Sequence, residues 1–218
     1  MAFASLKERV KAFENSDIYA VVTSQFCGGR TAEYVVEQIG LGGGKIVQIR
    51  EKDLDFNSYL NLAKKCRAIC DKYNMLLIVD DNVQVAIHSN ADGVHLGQSD
   101  MPITKARALD KNLLIGSSTH NAGEIAVAMR DGASYLNIGP IFATQTKSLP
   151  MNALGLQTFA ELKQLVKIPF SVMGGIKERH IKELCSLGAK HIAMVTEITQ
   201  AENIAEKVKS LRRQMGVI

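Results

Sequence analysis

Short, β-rich apolar runs recur along the chain: IYAVVT (18–23), KIVQIR (45–50), MLLIV (75–79), GVHL (93–96), LLIG (113–116), YLNIG (135–139), FSVMG (170–174) and HIAMV (191–195). Between them the apolar positions change to the three-and-four spacing of amphipathic helices, most clearly at 56–73, 121–132 and 177–188. Strands alternating with helices predict a parallel sheet, because parallel neighbours need a crossover that brings the chain back. Eight such units in 218 residues predict an α/β fold, a single (β/α)8 TIM barrel occupying 1–218 as one domain. A doubly wound open sheet is the competing arrangement. LKERVKAF, ahead of the first strand, predicts an extra N-terminal helix.

Three joints look alike. NADGVHL, DGASYLNI and LGAKHIAM each leave a helix, pass an Asn or Gly and a small residue, and enter a strand. Gly and Asn are favoured just past a helix C-terminus, so one joint used repeatedly fits a ring of equivalent units. GLGGGK (40–45) precedes a strand. A dinucleotide loop must follow one, so this run reads as a helix stop and connector at the barrel's bottom.

Composition changes the picture little. Apolar residues make up 46% and charged residues 22%, as in an ordinary globular protein, and the net charge is +4. No basic block interleaved with aromatics appears, so nucleic acid is disfavoured, and a mild basic excess suits a small anionic substrate. No apolar run is long enough to span a bilayer and no signal-peptide core opens the chain. Cys27, Cys66, Cys70 and Cys185 form no C-x-x-C pair. The expectation is a cytoplasmic protein with free thiols, no membrane partner, and a homo-oligomeric state left open.

In a barrel, chemistry collects at the C-terminal ends of the strands. The second strand ends QIREK; alternation puts Gln48, Arg50 and Lys52 on one face, Val47 and Ile49 on the other. With the apolar pair against the helices, two cations and an amide point into the mouth and suit an anion. A solvated strand end is the plainer alternative. The third strand runs into Asp80 and Asp81, and the loop after the fourth carries Asp100. Carboxylates from adjacent strands, with substrate phosphate oxygens, make a Mg²⁺ site. Equally, Asp80 or Asp81 could cap the helix starting at Asn82, and Asp100 the one near Pro102.

The later strands add phosphate-binding chemistry. Ser117, Ser118 and Thr119 offer hydroxyls, or helix caps. Thr144, Thr146 and Lys147 follow the sixth strand in ATQTKSLP, and hydroxyls, backbone N–H groups and a lysine can cradle phosphate oxygens. Gly174 and Gly175 after the seventh strand allow close backbone approach, and Val195-Thr196 ends the eighth. Loops seven and eight are the usual barrel phosphate site. Two anion sites are therefore expected, one built on Arg50, Lys52 and Lys147, the other on backbone donors only. His88, His95, His120, His180 and His191 show no metal spacing and read as structural, His95 and His120 being nearest to strand ends.

VQIREK, ADGVHLGQSD, GSSTHN, IGPIFATQTK and VMGGI, in this order, resemble the thiamine phosphate synthase family over about 18–200. The resemblance implies a transferase that joins hydroxymethylpyrimidine diphosphate to thiazole phosphate, releasing diphosphate, with Mg²⁺ as cofactor. It implies that Gln48, Ile49, Arg50, Glu51, Lys52, Asp80, Ser118 and Lys147 hold the pyrimidine diphosphate. Thr144, Gln145, Thr146, Gly175, Val195 and Thr196 would contact the thiazole phosphate, and Asp81 and Asp100 the metal. The family usually carries Asn-Asp after the third strand, where this chain has Asp80-Asp81, a change that bears on the pyrimidine site. Thr196 keeps the hydroxyl of a usual Ser, and Thr23-Ser24 stands for a frequent Thr-Asp. A related thiazole tautomerase would carry His where Pro140 stands, and a non-catalytic barrel that binds thiamine precursors is a third reading.

Overall fold

The computed structural model describes residues 3–144 and 152–218. Eight parallel strands close into a barrel in chain order: β1 (Ile18–Val22), β2 (Ile46–Ile49), β3 (Leu76–Asp80), β4 (Gly93–Leu96), β5 (Leu114–Thr119), β6 (Tyr135–Ile138), β7 (Phe170–Val172) and β8 (Ile192–Met194), which pairs back onto β1. The helices are α1 (Leu6–Glu14), α2 (Ala32–Leu41), α3 (Phe56–Tyr73), α4 (Val83–His88), α5 (Ile103–Leu109), α6 (Ala122–Arg130), α7 (Gly155–Leu162), α8 (Ile181–Ser186), α9 (Thr196–Thr199) and α10 (Ile204–Gln214). The open-sheet alternative is excluded by the β1–β8 pairing. No helix among the described residues is long and apolar enough to cross a membrane.

Alternation along the strands builds two apolar layers. Ala20, Val47, Ile49, Leu77, Val79 and Ile138 face outward and pack under the helices, where α2 contributes Val35, Val36 and Ile39. Tyr19, Ile46, Leu76, Ile78, Leu114 and Tyr135 fill the barrel itself. The extra helix α1 closes the bottom: its Phe13 stacks on Tyr135 with centroids 4.3 Å apart and lies 4.7 Å from the His191 ring. Burial pushes the His191 imidazole down to about 4, so it sits neutral there.

The repeated joint has a common geometry. Asn90, Gly132 and Gly188 take left-handed conformations (φ 55°, 91° and 90°). The next residue then bonds back across the helix end: Ala91 to Ala86, Ala133 to Ala128, Ala189 to Leu184. GLGGGK closes α2 in the same way, through Gly43 at φ 78° and a bond from Gly44 to Ile39.

Two boundaries differ from the sequence expectation. β5 runs on to Thr119, because Ser117 pairs with β4 and β6, and Ser118 and Thr119 with β6, instead of leaving the sheet. The helix expected over 177–188 is broken into a 3-10 turn, Glu178–His180, and α8. There the Lys177 N–H is taken by the His180 ring at 3.1 Å.

Candidate active site

The C-terminal mouth holds a cavity of about 540 Å³. Gln48, Arg50 and Lys52 enter it from β2 and the loop beyond, as alternation predicts. They converge on Asp80. Gln48 Nε2 donates to one carboxylate oxygen; Arg50 Nε lies 3.2 Å and Lys52 Nζ 3.7 Å from the other. Asp80 is 7% exposed, and a buried carboxylate needs such partners. Lys52 also pairs with Asp81. The Gln48 carbonyl oxygen is buried without a hydrogen-bond partner among the described residues, so this wall keeps an open acceptor for a ligand.

Asp81 sits at φ 59°, a left-handed conformation that Asp tolerates better than most residues, and its N–H is bonded to the His95 carbonyl at 2.8 Å. Neither it nor Asp80 caps α4. Asn82 does that itself, accepting from Val85 N at 2.9 Å. Asp100 does not cap α5, whose N-cap is Pro102; it ties its own loop by accepting from Gly97 N at 2.6 Å. Both carboxylates line the mouth cavity. Among the described residues no group of three or more metal-ligating side chains occurs. Asp81 and Asp100 are hard oxygen donors on this cavity, the kind that Mg²⁺ takes alongside substrate oxygens and water.

Ser118 faces the same space from β5 and caps no helix, since Asn121 caps α6. Its hydroxyl is 2.9 Å from His95 Nε2, and His95 Nδ1 is 3.1 Å from the Tyr135 hydroxyl, itself 2.8 Å from that of Tyr19. Burial raises both tyrosines well above their ordinary range, so both stay protonated. Ser118 is thus held by a buried chain reaching the barrel's centre. His120 also lines the cavity, with Nδ1 2.7 Å from Glu124. His95 and His120, the two histidines read as nearest to strand ends, both line the mouth. For His95, the signal was its inward position on β4, two residues before Gly97.

Two residues of the QIREK stretch do not present side chains here. Ile49 points outward and is fully buried under the helices. Glu51 turns to Ser24, accepting from its N–H at 2.8 Å and its hydroxyl at 2.6 Å. Both belong to the opposite phase of the strand.

A second, smaller cavity lies at β7 and β8, lined by Thr144, Gly174, Gly175, Lys177, Val195 and Thr196. Gly175 has φ 60°, and a Cβ there would strike the Ala143 carbonyl and Phe142. The N–H groups of Gly175, Ile176 and Thr196 donate to no acceptor among the described residues. The expectation of backbone donors alone is corrected by Lys177, whose side chain enters this lining. Val195 lines both cavities, which therefore adjoin. Gln145, Thr146 and Lys147 lie outside the described residues.

A (β/α)8 barrel that gathers cations, carboxylates and exposed backbone donors at the C-terminal mouth is the architecture of a barrel enzyme. The profile of the thiamine monophosphate synthase family matches residues 18–198, and the chain belongs to this family. The thiamine-phosphate synthase of Dictyoglomus turgidum is 38% identical over 206 residues, 94% of this chain and 92% of that protein. That of Pelotomaculum thermopropionicum is 40% identical over 199 residues, 90% of this chain and 91% of that one. The solved thiamine phosphate pyrophosphorylase of Pyrococcus furiosus superposes with a TM-score of 0.85 at 29% identity, covering 94% of this chain and 97% of its own.

Proposed function

We propose that this chain condenses hydroxymethylpyrimidine diphosphate with thiazole phosphate at the barrel's mouth, giving thiamine phosphate and diphosphate. The observation that carries the site assignment is the wall where Arg50 and Lys52 stand over Asp80 and Asp81, with Asp100 and Ser118 on the same cavity. Arg50 and Lys52 hold the diphosphate by charge-assisted hydrogen bonds. Lys147 is assigned to the departing diphosphate, from its place in the TQTK stretch. Asp81 and Asp100 would hold Mg²⁺, which when bound supplies positive charge to the leaving group.

The C–O bond of the pyrimidine methylene breaks and its electron pair leaves with the diphosphate. The thiazole ring nitrogen then uses its own lone pair to form the new C–N bond. No proton has to be removed from that nitrogen, so no general base is required. Cationic groups act most strongly where negative charge grows in the transition state. Gln48 offers its free carbonyl to the pyrimidine amine, and Ser118, oriented by His95, a hydroxyl to the ring. Thr144, Gln145 and Thr146 are assigned to the thiazole from their place in the ATQTK stretch, and Gly175, Val195 and Thr196 bring backbone groups to its phosphate. Four free cysteines suit a reducing cytoplasm. The tautomerase and the non-catalytic barrel have no support among the relatives, which are synthases. Purified protein given both substrates and Mg²⁺ should form thiamine phosphate, measured by chromatography. Isomerised thiazole alone, or substrate binding without product, would overturn the assignment.

A further inference from the structure

Lys177 is the only charged side chain among the described residues that line the cavity at β7 and β8. Its Nζ donates to Thr196 Oγ1 at 3.3 Å and lies 3.4 Å from Glu197 Oε2. The backbone it hangs from is fixed. Its N–H donates to His180 Nδ1 at 3.1 Å, and the His180 ring stacks on Phe142 with centroids 4.0 Å apart. The side chain is 40% exposed, so its ammonium can swing at little cost.

Glu197 does not depend on Lys177. Lys207 of α10 lies 3.5 Å from its other oxygen, Oε1, and is itself anchored to Glu178 at 2.7 Å. If Lys177 departs, Glu197 keeps a cation and no carboxylate is stranded. The remaining donors of the cavity are neutral backbone N–H groups and the Thr196 hydroxyl, whereas a phosphate monoester is largely dianionic at neutral pH. Among the described residues of the lining, a dianion there gains most from the Lys177 ammonium.

We propose that Lys177 is a phosphate-binding residue of the thiazole subsite: its ammonium exchanges Glu197 for the phosphate monoester, while Lys207 retains Glu197. The contact rests on the synthase reading, because it takes the thiazole phosphate as the occupant of this cavity. It adds a side-chain charge to a subsite otherwise made of neutral donors, and it sets a preference for phosphorylated over unphosphorylated thiazole.

Calorimetric titration of the full chain with thiazole phosphate, inorganic phosphate and the unphosphorylated thiazole alcohol tests this. Lys177→Met should weaken both phosphate-bearing ligands about tenfold, the scale of one partly solvated charge-assisted hydrogen bond. It should leave the alcohol unchanged. Lys177→Arg should recover most of the loss, and Lys182→Met, which removes a charge from the exposed face of α8, should change nothing. Unchanged phosphate binding in Lys177→Met, an equal loss for the alcohol, or an equal loss in Lys182→Met would overturn the contact. Turnover does not enter the titration, so a failed synthase assay and a failed contact are read apart. If the unaltered chain binds no thiazole phosphate, both fall; if it binds normally and Lys177→Met binds as well, only the contact falls.

Discussion

Two buried carboxylates, each set between two cations, stand at opposite ends of the barrel. At the bottom, fully buried Asp92 is paired with Arg67 and has Arg9 Nε 3.9 Å away. At the mouth, Asp80 has Arg50 and Lys52. The surroundings separate them. Arg9 also donates to the Asp92 and Asn112 carbonyls at 3.1 and 2.8 Å, Arg67 to the Met75 carbonyl at 3.2 Å, and Asp92 accepts Leu77 N at 2.8 Å. Those guanidinium groups reach backbone carbonyls as well as carboxylates, Arg67 also pairing with Asp71 at 3.1 Å, and the cluster ties α1 and α3 to β3 and β4. At the mouth, Arg50 and Lys52 are 18% and 48% exposed and face a cavity. The same charge motif is a clamp where it is closed off in the interior and a ligand site where it faces a cavity.

The contrast can be broken at either end. The largest effect should come from Asp92→Ala. It takes the buried carboxylate from Arg9 and Arg67, leaving Arg67 only the more exposed Asp71, and breaking a buried pair of this kind costs about 3–5 kcal/mol. Thermal or urea unfolding should show that loss, while KM for both substrates in the folded protein stays put; an unshifted midpoint would contradict the clamp. Asp81→Ala and Asp100→Ala should do the reverse. Each removes one of two carboxylates for Mg²⁺, lowering turnover on the order of a hundredfold with little change in melting temperature. Full activity in EDTA would remove the metal from the account. The smallest effect is assigned to Asp80→Asn. It releases Arg50 from a competing carboxylate and leaves Lys52 with Asp81 alone, so KM for the pyrimidine diphosphate should fall several-fold, at some cost in stability. A raised KM would mean that Asp80 serves the substrate directly.

Much of this was legible in the chain. All eight strands show as apolar runs, and α3 spans the 56–73 read from its periodicity. The QIREK alternation placed Gln48, Arg50 and Lys52 correctly, because period two is a property of the backbone alone. What escaped has a common cause. Ser117–Thr119 looked like a strand end because they are polar, yet a barrel's upper interior is polar where it meets a ligand. The Tyr19–Tyr135–His95–Ser118 chain joins β1, β4, β5 and β6, and no local pattern reports contacts between elements so far apart in sequence. Lys177 was hidden as the first residue of an apparent helix, where in the structure it stands ahead of a 3-10 turn beside the cavity. The carboxylates looked like caps because Asp commonly is one; that Asn82 and Pro102 already fill the capping positions of α4 and α5 shows only in the structure.

The central claim is that the diphosphate sits on the β2–β3 wall and the monophosphate at β7–β8. Steady-state kinetics of Arg50→Met with each substrate varied in turn test it most directly. Removing one charge-assisted contact should raise KM for the pyrimidine diphosphate about tenfold or more and leave KM for thiazole phosphate within about twofold. An unchanged pyrimidine KM, or a shift falling on thiazole phosphate instead, would contradict it.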